Sequence, residues 1–273
     1  MTISKKEINQ AAELIQTAYE THQPIAPLRE RFDMSIDDAY AIQEENTKHW
    51  IKSGRHLSGR KIGVTSHAVQ SQLGVDQPDF GMLFSDMAFA DSEEIPINNL
   101  LQPRIEGEIA FYLKRDLDQE NVTLAEVVTA IDYAVAAIEV VDSRIADWDI
   151  QITDTIADNA SSGLYVLGSR PVKLDAFDHL NCGMVIEHRG QPVCTGVGSA
   201  CLGNPLNACL WLAKKMLLVG RPLKAGDLIL SGALGPLTPV SMNESYEVKI
   251  NGLGSVRANF SGKKKKKGWL CLK

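Results

Sequence analysis

The cysteines do not form a framework. There are five, an odd number, at Cys182, Cys194, Cys201, Cys209 and Cys271, and no two stand at C-x-x-C spacing. Neither a disulfide scaffold nor a cysteine zinc site is expected, and they read as reduced, mostly buried small hydrophobes. Long apolar runs are missing too. No stretch approaches the roughly 20 residues that a membrane span needs. The opening residues Met1-Thr-Ile-Ser-Lys-Lys6 lead into polar, helix-forming sequence without a signal-peptide core, so a cytoplasmic chain with no membrane partner is expected. Positive charge is in deficit. With 28 Lys and Arg against 34 Asp and Glu, the net charge is −6, which argues against tracking nucleic-acid phosphates. Neither a G-x-G-x-x-G nor a Walker-type loop is present, so no nucleotide cofactor is expected. There is no internal repeat.

What is present is ample apolar material, 44% of 273 residues, enough for one mixed α/β body with a smaller N-terminal region. Ile8, Ala11, Ala12, Ile15 and Ala18 give a helix over 5–20. Ser35 caps a second helix that runs through Trp50 and ends near Gly54. A strand over 59–65, a helix around 66–72 and a turn at 77–79 follow. Strands are expected at 104–112 and 133–141, with a short helix from Leu124 between them, and a hairpin over 182–188 and 192–196. A helix over 204–219 presents Leu206, Leu210, Ala213 and Leu217 on one face. Further strands fall at 227–231, 239–240, 245–250 and 255–260. Short strands with few helices between them predict an α+β fold with a sheet curled on itself, not a doubly wound parallel sheet. The boundaries are an N-terminal helical region over 1–58, a catalytic β-rich domain over 59–261 and a lysine-rich, disordered tail over 262–273.

Three acids carry the chemistry. Glu106 and Glu108 flank Gly107 on a strand whose other neighbours, Ile105, Ile109 and Phe111, are apolar. The side-chain period of two puts both carboxylates on one face. Two like charges on a buried strand are costly unless a cation sits between them. Glu139 interrupts the apolar run Ala136-Ala-Ile-Glu-Val-Val141 and needs a partner: the same cation, or an arginine such as Arg104 or Arg144. Asp142 faces away from Glu139 by strand parity and is assigned to a structural pair with an arginine. Oxygen ligands without a nearby His or Cys suit Mg²⁺ or Mn²⁺ better than zinc. Lys61, on a glycine-flanked strand, is a candidate for stabilising an anion. Asp154, Asp158 and the Asn159-Ala-Ser-Ser-Gly163 run fit either a ligand-binding loop or ordinary helix-end chemistry.

These segments together resemble a known family. Gly59-Arg-Lys-Ile-Gly-Val-Thr-Ser66, Leu73-Gly-Val-Asp-Gln-Pro-Asp-Phe-Gly81, Gln102-Pro-Arg-Ile-Glu-Gly-Glu-Ile109, Glu139-Val-Val-Asp-Ser-Arg-Ile145 and Asp154-Thr-Ile-Ala-Asp-Asn-Ala-Ser-Ser-Gly163 are similar to the 2-keto-4-pentenoate (2-hydroxypentadienoate) hydratases of the fumarylacetoacetate hydrolase superfamily. Leu202-Gly-Asn-Pro-Leu-Asn207 and Gly232-Ala-Leu-Gly-Pro236 extend the resemblance, which reaches from about residue 10 to Phe260 and leaves out the lysine tail.

The resemblance implies a twisted, rolled mixed β-sheet core and the addition of water to 2-hydroxypenta-2,4-dienoate, giving 4-hydroxy-2-oxopentanoate in the meta-cleavage degradation of aromatic compounds. Its metal carboxylates fall on Glu106, Glu108 and Glu139. Lys61 would place positive charge beside the substrate, Asp79 would move a proton or orient water, and Ser161 or Ser162 would hydrogen-bond the substrate. It also implies a homo-oligomer, with association to a paralogous decarboxylase or a downstream aldolase. The rivals are 4-oxalocrotonate decarboxylation, hydrolytic C–C cleavage of an acylpyruvate, and a catalytically silent partner subunit.

Overall fold

The computed structural model describes residues 2–262, and the predicted lysine tail from residue 263 onward lies outside them. Helix α1 (Lys5–Thr21) begins at Ser4, whose side chain accepts the Glu7 N–H while the Glu7 carboxylate accepts the Ser4 N–H. Helix α2 (Ile36–Lys52) repeats the device with Ser35 and Asp38. Each reciprocal cap satisfies two amide donors that the helix itself cannot use. Ile8 and Ile15 of α1 and Ile42 of α2 are buried in a small core shared with Ile145 and Ile156. Each such side chain contributes about 1.5–3 kcal/mol by leaving water, and together they fasten the N-terminal helices to the segment around Ile145 and Ile156.

After β1 (Leu57–Gly63), α3 (His67–Leu73), β2 (Asp79–Phe84) and two short strands, β3 (Ala88–Ala90) and β4 (Glu94–Pro96), comes the central pair. Strands β5 (Arg104–Leu113) and β6 (Ile131–Val141) run antiparallel on either side of α4 (Leu124–Ala130). Then follow α5 (Ile152–Ala157), β7 (Ser162–Leu167), the hairpin β8 (Gly183–His188) and β9 (Gln191–Val197), and α6 (Pro205–Leu218). The last strands are β10 (Leu228–Leu230), β11 (Thr238–Pro239), β12 (Ser245–Ile250) and β13 (Gly254–Ser261). One sheet has the order β2-β1-β10-β5-β6-β7-β3 with β11 beside β5, and the other has the order β4-β13-β12-β8-β9. Parallel pairs (β1 with β10, β3 with β7, β4 with β13) stand among antiparallel ones. The result is a twisted, rolled mixed sheet with helices outside it. No helix among the described residues is long and apolar enough to cross a membrane.

Gly107 shows why the central strand reads as it does. A Cβ there would lie 2.9 Å from Met184 Sδ and 3.0 Å from Val248 Cγ1. Only a glycine lets β8 and β12 of the second sheet close on this face of β5. Glu106 and Glu108 point to the opposite face by strand alternation.

Two expectations need correction. The sequence reading of 77–84 stops at a turn, whereas β2 begins at Asp79 and all six of its residues are buried. A short run that is buried on both faces carries no polar–apolar alternation from which to read a strand. In α6, Leu206 and Ala213 are buried as expected, but Leu210 and Leu217 are only half-buried. Cys209, Leu212 and Met216 fill the core instead. This helix is apolar nearly all round, so its sequence pattern does not single out the face that packs.

Candidate metal centre and its cavity

Glu106 and Glu139 are direct partners in the β5–β6 register, and Glu108 lies two residues further along the same face. One carboxylate oxygen from each of the three lies within 4.8 Å of the others. Glu108 and Glu139 are buried and Glu106 is half-buried. Glu108 Oε2 accepts the backbone N–H of Gly232 at 2.9 Å. Glu108 Oε1 and both oxygens of Glu139 accept no hydrogen bond.

Lys61 enters from β1. Its Nζ lies 3.1 Å from Glu139 Oε1, a charge contact without hydrogen-bond alignment. Arg104 and Arg144, the arginines that the sequence offered as counter-charges, are therefore not Glu139's partner. Asp79 stands opposite Gly63 in the β1–β2 ladder. A Cβ on Gly63 would lie 2.3 Å from Asp79 Oδ1 and 3.2 Å from Lys61 Nζ, so that glycine makes room for both side chains. Asp79 is buried and its Oδ1 has no hydrogen-bond partner.

The electrostatics follow from this crowding. Burial and the charge of Glu139 push Glu106 up to about 8, and burial with the neighbouring glutamates holds Glu108 well above the carboxylate range. Burial also raises Asp79, against the pull of Lys61. Burial alone would lower Lys61, but Glu139 and Asp79 outweigh it and keep the ammonium charged above its ordinary value. Four acids against one lysine leave an excess of negative charge with unsatisfied oxygens at a single point. A hard divalent cation resolves both problems, so the residues present fit one. No His or Cys belongs to the group.

A turn completes the wall. Asn159, Ala160 and Ser161 all have left-handed backbones, with φ of 55°, 52° and 52°. Such residues are strained by about 1–3 kcal/mol each unless the surroundings impose them. Here Asn159 Oδ1 accepts the Met82 N–H at 2.7 Å and its Nδ2 donates to Met82 O at 2.9 Å. The buried Arg144 donates to Asp158 Oδ1 at 2.6 Å and to the carbonyls of Asp158 and Ser162. Asp158 is therefore structural, and Asp154 likewise pairs with Arg29 at 2.6 Å. Asp142 is held by the N–H groups of Leu101 and Gln102, with Arg144 3.9 Å away, so its structural assignment stands.

The cavity beside these groups has a volume of about 450 Å³. Lys61, Asp79, Glu106 and Ser161 line it, and Ser162 does not. The Ser162 hydroxyl donates to Asn159 O at 2.7 Å, while Ser161 Oγ lies 3.1 Å from Thr155 Oγ1. Thr65, Trp148, Ile150 and Leu237 also line the cavity, and sequence reasoning passed over them. The local signal was weak, since Thr65, the 148–150 segment and Leu237 are far apart in sequence and only the fold unites them.

Comparison with known proteins adds a family to this geometry. The profile of the fumarylacetoacetate (FAA) hydrolase C-terminal domain matches residues 57–261. A 2-keto-4-pentenoate hydratase of Paraburkholderia xenovorans (strain LB400) is 56% identical over 261 residues, covering 95% of this chain and 96% of its own. The 4-oxalocrotonate decarboxylase of Pseudomonas putida G7, solved with magnesium and adipate, superimposes with a TM-score of 0.91 at 33% identity, covering 95% of this chain and 99% of its own. A fumarylpyruvate hydrolase from Pseudomonas aeruginosa, solved with Mn²⁺ and pyruvate, shares the fold at a TM-score of 0.61 and 13% identity, covering 77% of this chain and 90% of its own.

Proposed function

The chain belongs to the 2-keto-4-pentenoate hydratase family of the fumarylacetoacetate hydrolase superfamily, and on that premise we propose that it is a metal-dependent hydro-lyase acting in meta-cleavage degradation of aromatic compounds. It adds water to 2-hydroxypenta-2,4-dienoate and gives 4-hydroxy-2-oxopentanoate. The observation that carries this reading is the buried group of Glu106, Glu108 and Glu139, with Lys61 against it, beside a largely apolar cavity.

Glu106, Glu108 and Glu139 would hold the cation, Mg²⁺ or Mn²⁺, because hard oxygen donors suit hard ions. When bound, it supplies Lewis acidity at the substrate's carboxylate and 2-oxygen. Lys61 presents a fixed positive charge to the anionic head of the substrate. Asp79, with a raised pKa and an unpartnered oxygen, holds or moves a proton. The dienol gains a proton at C5 and loses one from its 2-hydroxyl, giving the 2-oxo-3-enoate. Water then adds across C3 and C4, with hydroxyl at C4 and the proton at C3. Ser161, which lines the cavity, hydrogen-bonds the substrate, and Ser162 takes no part.

Likeness to the 4-oxalocrotonate decarboxylase keeps one rival alive, because both reactions draw on an enolate-stabilising site. The deciding test is an ultraviolet assay with 2-hydroxypenta-2,4-dienoate generated in situ, with and without EDTA, followed by product identification. The expected result is EDTA-sensitive loss of the diene with 4-hydroxy-2-oxopentanoate as product. Persistence of the diene with added Mg²⁺ and Mn²⁺ would sink the hydratase reading. Release of CO₂ from 4-oxalocrotonate in the same preparation would favour the rival.

A further inference from the structure

Strand β2 ends its sheet, with β1 as its neighbour on one side. An edge strand leaves a row of amide and carbonyl groups open on its outer side. Here side chains close that row. Asn159 accepts the Met82 N–H and donates to the Met82 carbonyl. Gln43, from α2, donates to the Phe80 carbonyl at 2.8 Å. The left-handed turn packs directly on the strand, since a Cβ on Gly81 would lie 2.4 Å from Asn159 O and 2.5 Å from Ser162 Oγ.

Gln43 does more than close an edge. Its Nε2 also donates to the Ile156 carbonyl of α5, at 3.1 Å. Both partners are carbonyl oxygens, so the atom that meets them must be the amide NH₂, which has two hydrogens to give. The side chain is 1% exposed, and a low local dielectric strengthens both bonds. Phe80 follows Asp79 on β2. Ile156 follows Thr155, whose Oγ1 lies 3.1 Å from Ser161 Oγ. Asp79, Thr155 and Ser161 all line the cavity. One amide from the N-terminal helices therefore spans the segment that carries the cavity's buried aspartate and the segment that carries a hydroxyl in contact with Ser161.

We propose that Gln43 is a positioning residue: by joining β2 to α5 it fixes the placement of Asp79 relative to Ser161, and so makes the N-terminal helices part of the active site's support. The inference rests on the hydratase reading for the roles of Asp79 and Ser161. Gln43 is not among the residues that line the cavity, so it acts through the two backbones that it bonds. Glu106, Glu108 and Glu139 stand on β5 and β6, to which neither Gln43 bond runs. Loss of the amide should therefore disturb the proton-handling and hydroxyl groups and spare the metal carboxylates. A misplacement of about 1 Å between reacting groups costs about 100-fold in rate.

The test compares the full chain with Gln43→Met, which keeps the length of the side chain and removes both donors. Amide hydrogen exchange with saturating Mg²⁺ is expected to quicken about tenfold or more in peptides covering 79–84 and 155–163 and to hold in those covering 104–113 and 131–141. In the same samples kcat for 2-hydroxypenta-2,4-dienoate is expected to fall by about 10- to 100-fold. Calorimetric Mg²⁺ affinity is expected to stay within about twofold, as for independent sites. Asn46→Leu serves as the control. It removes a side-chain hydrogen bond from the same helix, the one that Asn46 Oδ1 accepts from Gln16 of α1 at 2.7 Å, and is expected to leave kcat and the 79–84 exchange as in the parent. Should Gln43→Met fail to fold, Gln43→Asn, which keeps the amide and shortens its reach, is read in its place. Exchange that quickens evenly over the whole chain, exchange that does not change, or an unaltered kcat overturns the proposal. A parent chain that does not hydrate the dienoate would remove the hydratase reading, and the exchange pattern would still decide whether Gln43 holds the two segments together.

Discussion

Glu106 and Glu139 face each other across the β5–β6 ladder, and neither Glu139 oxygen accepts a hydrogen bond. Like charges directly opposite in an antiparallel pair destabilise a sheet, and burial multiplies the penalty. The arrangement makes sense as a cation site whose geometry is set by strand register. Register cannot shift by one residue here without turning Glu106 and Glu108 into the second sheet and Gly107 into the cavity.

Glu106→Gln and Glu139→Gln keep the shape and remove one charge each. Each is expected to weaken Mg²⁺ or Mn²⁺ binding by about 100-fold or more, at least the loss seen when a ligand's supporting group is removed. Calorimetric metal titration reads this directly, and activity at subsaturating metal should fall in parallel. Full metal affinity and activity in Glu106→Gln would remove the carboxylates from the metal site.

Among the described residues, Lys61 is the one cation buried among these acids. In Lys61→Met the positive charge aimed at the substrate is lost, and kcat/KM should fall by about 100-fold or more, the scale of removing one fixed electrostatic contact. Metal affinity should rise or hold, since a competing positive charge is gone. An unchanged kcat/KM would show that Lys61 only balances Glu139.

The carboxylates were legible because a strand repeats every two residues and because Glu139 breaks an apolar run. The rest of the site was not, for identifiable reasons. β2 is uniformly buried and short, so Asp79 read as the end of a turn instead of the start of a strand. Ser161 and Ser162 are adjacent, and only the left-handed turn at 159–161 decides which of them reaches the cavity. Trp148, Leu237 and Thr65 lie on separate loops with no shared pattern. The buried Arg144–Asp158 pair joins residues 14 positions apart, a distance at which no periodicity speaks.

That pair supports the strained turn. Arg144 is 1% exposed and Asp158 0%, so Asp158→Asn leaves a buried guanidinium with only the more distant Asp142, 3.9 Å away, as counter-charge. The expected loss of stability is about 3–5 kcal/mol, read by urea unfolding. Because Ser161 follows within the same turn, kcat should fall as well, even at temperatures where the variant is folded. A variant that loses stability and keeps kcat would separate the ion pair from the positioning of Ser161.

Asp38 gives a pH signature away from the metal centre. Burial would raise its pKa, but hydrogen bonds from Ser35 and Thr2, side chain and backbone, overcome that and hold the carboxyl well below the usual range. The folded pKa is thus depressed relative to the unfolded chain. Its stabilisation is present above the unfolded value, near pH 4, and is lost as pH falls below it. Replacing a helix-capping carboxylate costs about 1 kcal/mol, so Asp38→Asn should lower the unfolding free energy by about that amount from roughly pH 5 to 7. The gap between Asp38→Asn and the parent should close as the solution is acidified below about pH 4, because the parent then loses the same charge. Thermal unfolding of both proteins across this range measures the gap. A difference that stays constant down to the acid limit would mean that the Asp38 contribution is steric and not carried by its charge.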